Sequence, residues 1–168
     1  MSDLQCAATL LIARDGEAVA GQDGAAGLSA DGRVKARELA RSLRSARVAM
    51  IYCSTAAPAV QTAEAIAAEL GGVAVRTCDR LAPASPDDEA DVLERVGDQL
   101  GEIVDLHRGE TVLVLSHGDV ISSAVPRLVQ NVRSDFSRNR PLDHCAVAEV
   151  SADGDGWVLR SWGGQPIG

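Results

Sequence analysis

Two apolar runs in this chain break off in the same way. Leu11-Ile12-Ala13 passes into Arg14-Asp15-Gly16-Glu17, and about a hundred residues later Val112-Leu113-Val114-Leu115 passes into Ser116-His117-Gly118. A short apolar run that stops on polar residues and a glycine is the sequence form of a buried strand releasing its chain into a loop. When two such strands run parallel in one sheet, their ends meet on one edge, where open α/β sheets place their sites. Asp15 and His117 are a candidate acid–base pair or, equally, part of a satisfied structural ion pair, and Arg14 beside them is a candidate ligand for an anion unless Asp15 neutralises it.

The remaining segments alternate strand and helix. A strand is expected over residues 7–13, then a loop rich in Gly and Ala over 21–27. Ser29 then caps a helix carrying Ala36, Leu39, Ala40 and Leu43 on one face. Strand 48–53 follows, then a helix over 59–70 that buries Ala63, Ile66, Ala67 and Leu70 and stops at Gly71-Gly72. A short strand over 73–77 leads past Pro83 and Pro86 to a long helix over 87–106, with Leu93, Val96, Leu100, Ile103 and Val104 inward. Strand 111–115 is apolar on both faces, as a strand at the centre of a parallel sheet has to be. A helix over 120–129 comes next, and strands 142–150 and 157–162 close the chain as a hairpin around Asp153-Gly154-Asp155-Gly156. No repeat, linker or low-complexity tract divides the pattern. The expectation is one α/β domain over residues 1–168, in three layers: a mostly parallel central sheet flanked by helices, with a C-terminal β-hairpin.

Composition narrows the function classes. Apolar residues make up 46% but aromatic ones only 2%, so the core is built from Ala, Val, Leu and Ile. A net charge of −8 argues against nucleic acid and anionic membrane as partners, since both are polyanions; a local positive pocket can still hold a small anion. The apolar runs fall far short of the roughly 20 residues a membrane helix needs. Met1-Ser2-Asp3 lacks the basic region of a signal peptide, so the chain reads as cytoplasmic. Cys6, Cys53, Cys78 and Cys145 are widely spaced among mostly apolar neighbours and read as buried reduced thiols. His107, His117 and His144 show no ligand spacing, and neither a metal nor another cofactor is expected. Charge is uneven along the chain. Arg33, Lys35, Arg37, Arg41, Arg44 and Arg47 face Glu38 alone across 33–47, whereas residues 87–110 hold nine acids against Arg95 and Arg108. Two solvated helix faces account for this, and so does a complementary pair of surfaces in a homodimer.

With these motifs in order, the chain resembles the histidine phosphatase superfamily, the phosphoglycerate mutase-like fold. That family opens with a strand ending in Arg-His-Gly-Glu, where this chain has Arg14-Asp15-Gly16-Glu17. Its Leu-Thr/Ser-x-x-Gly segment is Leu28-Ser29-Ala30-Asp31-Gly32 here. Its Ser-Ser-Pro-Leu-x-Arg-Ala-x-Gln-Thr-Ala pattern is Cys53-Ser54-Thr55-Ala56-Ala57-Pro58-Ala59-Val60-Gln61-Thr62-Ala63, and its late Ser-His-Gly stands intact at Ser116-His117-Gly118. The resemblance covers nearly the whole chain and is nearest to the compact members without a large cap, such as the phosphohistidine phosphatases.

In that family the first-motif histidine attacks phosphorus, two arginines and the late histidine bind the phosphoryl oxygens, and a carboxylic acid from the middle of the chain protonates the leaving group. The resemblance implies phosphoryl-binding roles for Arg14 and His117, but it puts Asp15 at the nucleophile and Pro58 at the second arginine. Asp88 and Glu89 are the available middle acids, and a solvated helix start explains them better than a catalytic role does. Replacing an imidazole by a carboxylate and losing a guanidinium moves the pocket about two charges toward negative. One charge contact at ~4 Å is worth on the order of 4 kcal/mol at an effective dielectric near 20, so ordinary phosphohistidine chemistry is expected to be lost.

Three readings follow. The chain is a degenerate member, a pseudoenzyme that keeps its pocket for a small organic anion or a partner protein. Or it is a repurposed enzyme, in which Asp15, His117 and Arg14 perform acid–base chemistry on a small organic anion. Or it is a weak phosphomonoesterase or phosphohistidine phosphatase working through His117 or Asp15. Ser54 and Thr55, in the pocket loop of the resemblance, and His144, at the start of a strand, complete the candidate ligand-binding set. Loop capping competes for the hydroxyls and simple packing for the imidazole. Glu17 reads as a stabiliser of the first loop, His107 as a partner of a helix dipole, and Trp157 and Trp162 as packing anchors.

Overall fold

The computed structural model of the chain describes residues 6–19, 27–85 and 89–168. Within them the strands are β1 (Ala8–Arg14), β2 (Val48–Ser54), β3 (Val75–Cys78), β4 (Thr111–Ser116), β5 (Val147–Asp153), β6 (Gly156–Trp162) and β7 (Gln165–Pro166). They form one sheet in the order β3-β2-β4-β1-β5-β6-β7. The first four pair in parallel and the last three are added antiparallel. The helices are α1 (Ala30–Ser42), α2 (Ala57–Glu69), α3 (Glu89–Leu106) and α4 (Gly118–Leu128).

Side-chain alternation along the central strands divides the core in two. Leu11, Ala13, Ile51, Cys53, Leu113 and Leu115 point into the layer formed by α1 and α2, where alanines (Ala36, Ala40, Ala59, Ala63) do much of the filling. Leu10, Ile12, Tyr52, Val112 and Val114 point the other way, against Val92, Val96 and Leu100 of α3 and Val120, Ile121 and Ala124 of α4. Both faces of β4 are covered, which explains its uninterrupted apolar run. The basic helix α1 and the acidic helix α3 therefore lie on opposite faces of the sheet.

Several expectations shift. In α3 Val96, Leu100, Ile103 and Val104 are buried as expected, and only the head of the stripe differs: Val92 is fully buried there and Leu93 only half-buried. Leu70 ends α2 partly buried rather than enclosed. The hairpin's first strand starts at Val147 rather than at 142, because Cys145 takes a left-handed φ of 62° that breaks the extended run. Gly163 and Gly164, at φ 59° and 86°, turn the chain into the short β7, which the sequence reading did not include. Cys6 is exposed, whereas Cys53, Cys78 and Cys145 are buried. The Gly/Ala loop up to residue 26, Pro86, Asp87 and Asp88 lie outside the described residues. Among the described residues no helix is long and apolar enough to cross a membrane.

Candidate functional site

Three parallel strands end side by side. Arg14 lies opposite Ser116 in the β1–β4 register, and the Asp15 N–H extends that ladder by donating to the Ser116 carbonyl at 2.8 Å. On the far side of β4, Cys53 lies opposite Leu115. The chain after each strand thus brings Arg14 and Asp15 and Ser116 and His117 onto one edge, as the strand-end pattern predicts, and Ser54 and Thr55, expected there from the family resemblance, follow β2 onto the same edge.

His117 is the N-cap residue of α4, and its imidazole joins the other two strand ends. Its Nδ1 is 3.1 Å from Asp15 Oδ2 and its Nε2 is 2.8 Å from Ser54 Oγ. An ionised carboxylate only accepts, so Nδ1 carries the hydrogen. Ser54 Oγ already accepts the Ala56 N–H at 3.2 Å, and its own hydrogen goes to Nε2. The donors run in one direction, from Ser54 through His117 to Asp15. The outer members are enclosed: Asp15 is 7% exposed and Ser54 not at all. Ser54 therefore faces His117 rather than an open loop, while Thr55 is exposed.

Arg14 stands apart from this chain. Its guanidinium donates from Nη1 to the Leu142 carbonyl at 2.8 Å, and it lies along Gly118, where a Cβ would come within 3.0 Å of Nε. The glycine after His117 is the space the arginine occupies. Among the described residues no acid pairs with Arg14, and Asp15 makes its contact with His117 rather than with its sequence neighbour.

The segment between α4 and β5 closes the same edge. Arg14 N–H donates to the Ala146 carbonyl at 3.0 Å and the Cys145 N–H to the Arg14 carbonyl at 2.9 Å. His144 Nδ1–H donates to the Asp15 carbonyl at 3.1 Å, so this imidazole does sit beside the strand ends. Burial first, and then the Asp15 carboxylate, push the Cys145 thiol up to about 11. Leu142 and Cys145 were not among the sequence candidates; neither a backbone carbonyl nor a left-handed cysteine leaves a signal in composition.

Pro58 falls in the first turn of α2, where its missing N–H costs nothing. Its carbonyl accepts the Thr62 hydroxyl at 2.6 Å, and the Gly16 N–H donates to that hydroxyl at 3.0 Å. Thr62 thus ties the first loop to α2, and Gln61 adds a second tie by accepting the Leu28 N–H at 2.8 Å. The Gln-Thr pair of the motif was the available signal for both. Glu17 does stabilise the first loop: it accepts the Ser29 hydroxyl at 3.2 Å, while Ser29 caps α1 through the Gly32 N–H at 3.0 Å. Of the two middle acids, Glu89 is paired with Arg127. His107 is held more specifically than by a dipole, accepting the Tyr52 hydroxyl at 2.7 Å and donating to Glu110 at 3.0 Å.

The edge therefore offers one cation without an acidic partner and one carboxylate–imidazole–hydroxyl chain closed on itself. The sequence model of the histidine phosphatase superfamily (branch 1) matches residues 10–88 and 82–165. No curated protein is significantly similar to the chain. Among solved structures, YhfR of Bacillus stearothermophilus superposes with a TM-score of 0.78 at 22% identity, over 95% of this chain and 98% of that one. A mycobacterial glucosyl-3-phosphoglycerate phosphatase solved with VO3 gives 0.77 at 19% identity, over 92% and 98%. Phosphoglycerate mutase from Bacillus anthracis gives 0.77 at 15%, over 96% and 95%. At such identities these structures speak for the fold. Because the family model runs over nearly the whole chain, from β1 to β7, and solved structures of the phosphoglycerate mutase kind share its fold end to end, the chain belongs to the histidine phosphatase superfamily, branch 1.

Proposed function

We propose that this member of the superfamily binds a small organic anion and does not carry out phosphohistidine chemistry. The observation that carries the reading is the closed Ser54–His117–Asp15 chain at 2.8 and 3.1 Å. Phosphoryl transfer through a histidine needs a neutral nitrogen at position 15 within a positive pocket. Here that position presents a carboxylate, and at ~4 Å each charge contact with a phosphate costs on the order of 4 kcal/mol at an effective dielectric near 20. His117 has both ring nitrogens engaged, one of them by a side chain that water does not reach. Pro58 replaces the second guanidinium. Arg14 remains as a single cation satisfied only by a carbonyl, which suits a carboxylate monoanion better than a phosphate dianion.

The test is hydrolysis of p-nitrophenyl phosphate, with trapping of any phosphorylated imidazole. Wild type is expected at background, and Asp15→His combined with Pro58→Arg to raise turnover. Wild-type hydrolysis that disappears in His117→Ala sinks the proposal. The Asp15–His117 contact also favours a second reading, acid–base catalysis on the bound anion. In that case proton exchange at the α-carbon of a bound carboxylate is lost in Asp15→Asn, whereas simple binding leaves no exchange to lose.

A further inference from the structure

We propose that the protein has a second ligand site, between the segment that follows α4 and the β6–β7 turn, for an amphipathic monoanion: an aromatic or alkyl body carrying one carboxylate or sulfonate. A concavity of about 730 Å³ lies there, within the range of small-molecule sites, and it shares no lining residue with the strand-end site. Its apolar surface comes from Val132, Phe136, Trp162 and Ile167. Phe136 and Trp162 meet edge to face, with centroids 5.7 Å apart and planes at 88°. That corner offers a fixed wall to an apolar body.

The polar groups around it decide the ligand class. Asn131 uses one N–H and one lone pair on Leu159, donating to its carbonyl and accepting its N–H, each at 2.8 Å. The Trp162 indole N–H donates to the Arg140 carbonyl at 2.8 Å, and the Ile167 N–H to the Arg160 carbonyl at 3.0 Å. The indole and main-chain groups are therefore taken, which leaves the Gln165 amide and part of the Asn131 amide for a ligand's neutral polar atoms. The guanidiniums are different. Arg140 is pinned, with Nη1 on the Phe136 carbonyl at 2.7 Å and its Cζ 4.3 Å over the Phe136 ring. One N–H and one face of the guanidinium are held before a ligand arrives, and its other N–H groups remain to donate. Arg133 lines the same space; its contact with Asp135 is 3.5 Å long with the arginine 91% exposed, too weak to neutralise it. No acidic side chain lines the concavity, although the chain as a whole carries −8. Two cations and no acidic side chain over an apolar wall match one anionic head on an apolar body.

The probe is 8-anilinonaphthalene-1-sulfonate, titrated into the full chain carrying Trp157→Phe, so that Trp162 is the sole tryptophan. Dye fluorescence should rise as Trp162 emission falls. Arg133→Gln with Arg140→Gln should weaken binding about tenfold or more, the scale of a lost charge-assisted hydrogen bond. Decanoate should displace the dye and decanol or inorganic phosphate should not. Thermal melting verifies that each variant is folded; if the Arg140 change unfolds the protein, Arg133→Glu, at an exposed side chain, carries the same comparison. Unchanged affinity in the folded arginine variants overturns the proposal, as does displacement by decanol or phosphate equal to that by decanoate. Dye binding lost in Arg14→Gln but kept in the Arg133/Arg140 variant also overturns it, by placing the probe at the strand ends. None of these outcomes depends on phosphatase activity.

Discussion

Ser54→Ala separates a closed structural chain from a working catalytic one. The substitution removes a single oxygen and leaves the His117 Nε2 and the Ala56 N–H without their partner. Ser54 has no exposure, so water cannot take the oxygen's place without displacing neighbours. An unsatisfied buried polar group costs about 1–3 kcal/mol. The Ala56 amide is only half-buried and recovers part of its loss, which puts the sum at about 2–3 kcal/mol. For a chain of this size each kcal/mol moves the melting temperature by roughly 2–4 °C, so Ser54→Ala should melt about 4–12 °C lower. Differential scanning calorimetry, with circular dichroism to follow the same transition, measures this directly. Catalytic groups commonly sit at a stability cost, and their removal leaves a protein unchanged or firmer. A Ser54→Ala variant that melts at or above the wild-type temperature therefore refutes the view that the trio satisfies itself, and with it the main support for the anion-binding reading.

Other outcomes follow from the same geometry. At pH 8, Ellman's reagent should titrate exposed Cys6 rapidly, while Cys53, Cys78 and Cys145 react only after denaturation. Burial holds Cys53 up to about 12 and Cys145 up to about 11, against an ordinary value of 9.0. Above about pH 9 the unfolded chain loses thiol protons that the folded chain keeps; stability from these groups is complete below that pH and declines as pH rises toward 11–12, which urea melts across the window should show. Gly118→Ala places a methyl 3.0 Å from Arg14 Nε; the guanidinium must shift, and acetate or benzoate binding measured by calorimetry should weaken about tenfold while the fold persists. If the charged helices associate between copies, sedimentation should show species larger than monomer at low salt that vanish near 0.5 M salt and in Arg37→Glu/Arg41→Glu. A monomer at every salt concentration removes that interaction.

The strand ends were legible because they are local facts: an apolar run, an ionisable residue, a glycine. So was the centrality of β4, whose residues are apolar on both faces. What joins them was not. The meeting of Ser54 with His117 spans 63 residues, and nothing in either residue's neighbourhood states which way the serine turns. Adjacent Val92 and Leu93 are equally good core residues, so which of them heads the buried stripe of α3 was not legible, whereas Val96, Leu100, Ile103 and Val104 after it were. The charges of α1 and α3 could be counted in advance, but their places on opposite faces of the sheet followed only from the strand order. A C2 dimer repeats one patch on itself, so these two surfaces could meet only head to tail.

The clip between β1 and residues 142–146 has a consequence for when the site comes into being. The Arg14–Leu142 and Asp15–His144 contacts close loops of 128 and 129 residues. Closures of that span come late in folding, after the nearer pairings have formed. A nascent chain that has delivered β1, β2 and β4 already owns Asp15, Ser54 and His117, yet it has no wall on the Arg14 side until the C-terminal hairpin arrives. Native-state amide exchange should record this, with the Cys145 amide opening together with β5. An anion bound at Arg14 would slow that exchange, making the last-formed part of the molecule the reporter of its occupancy.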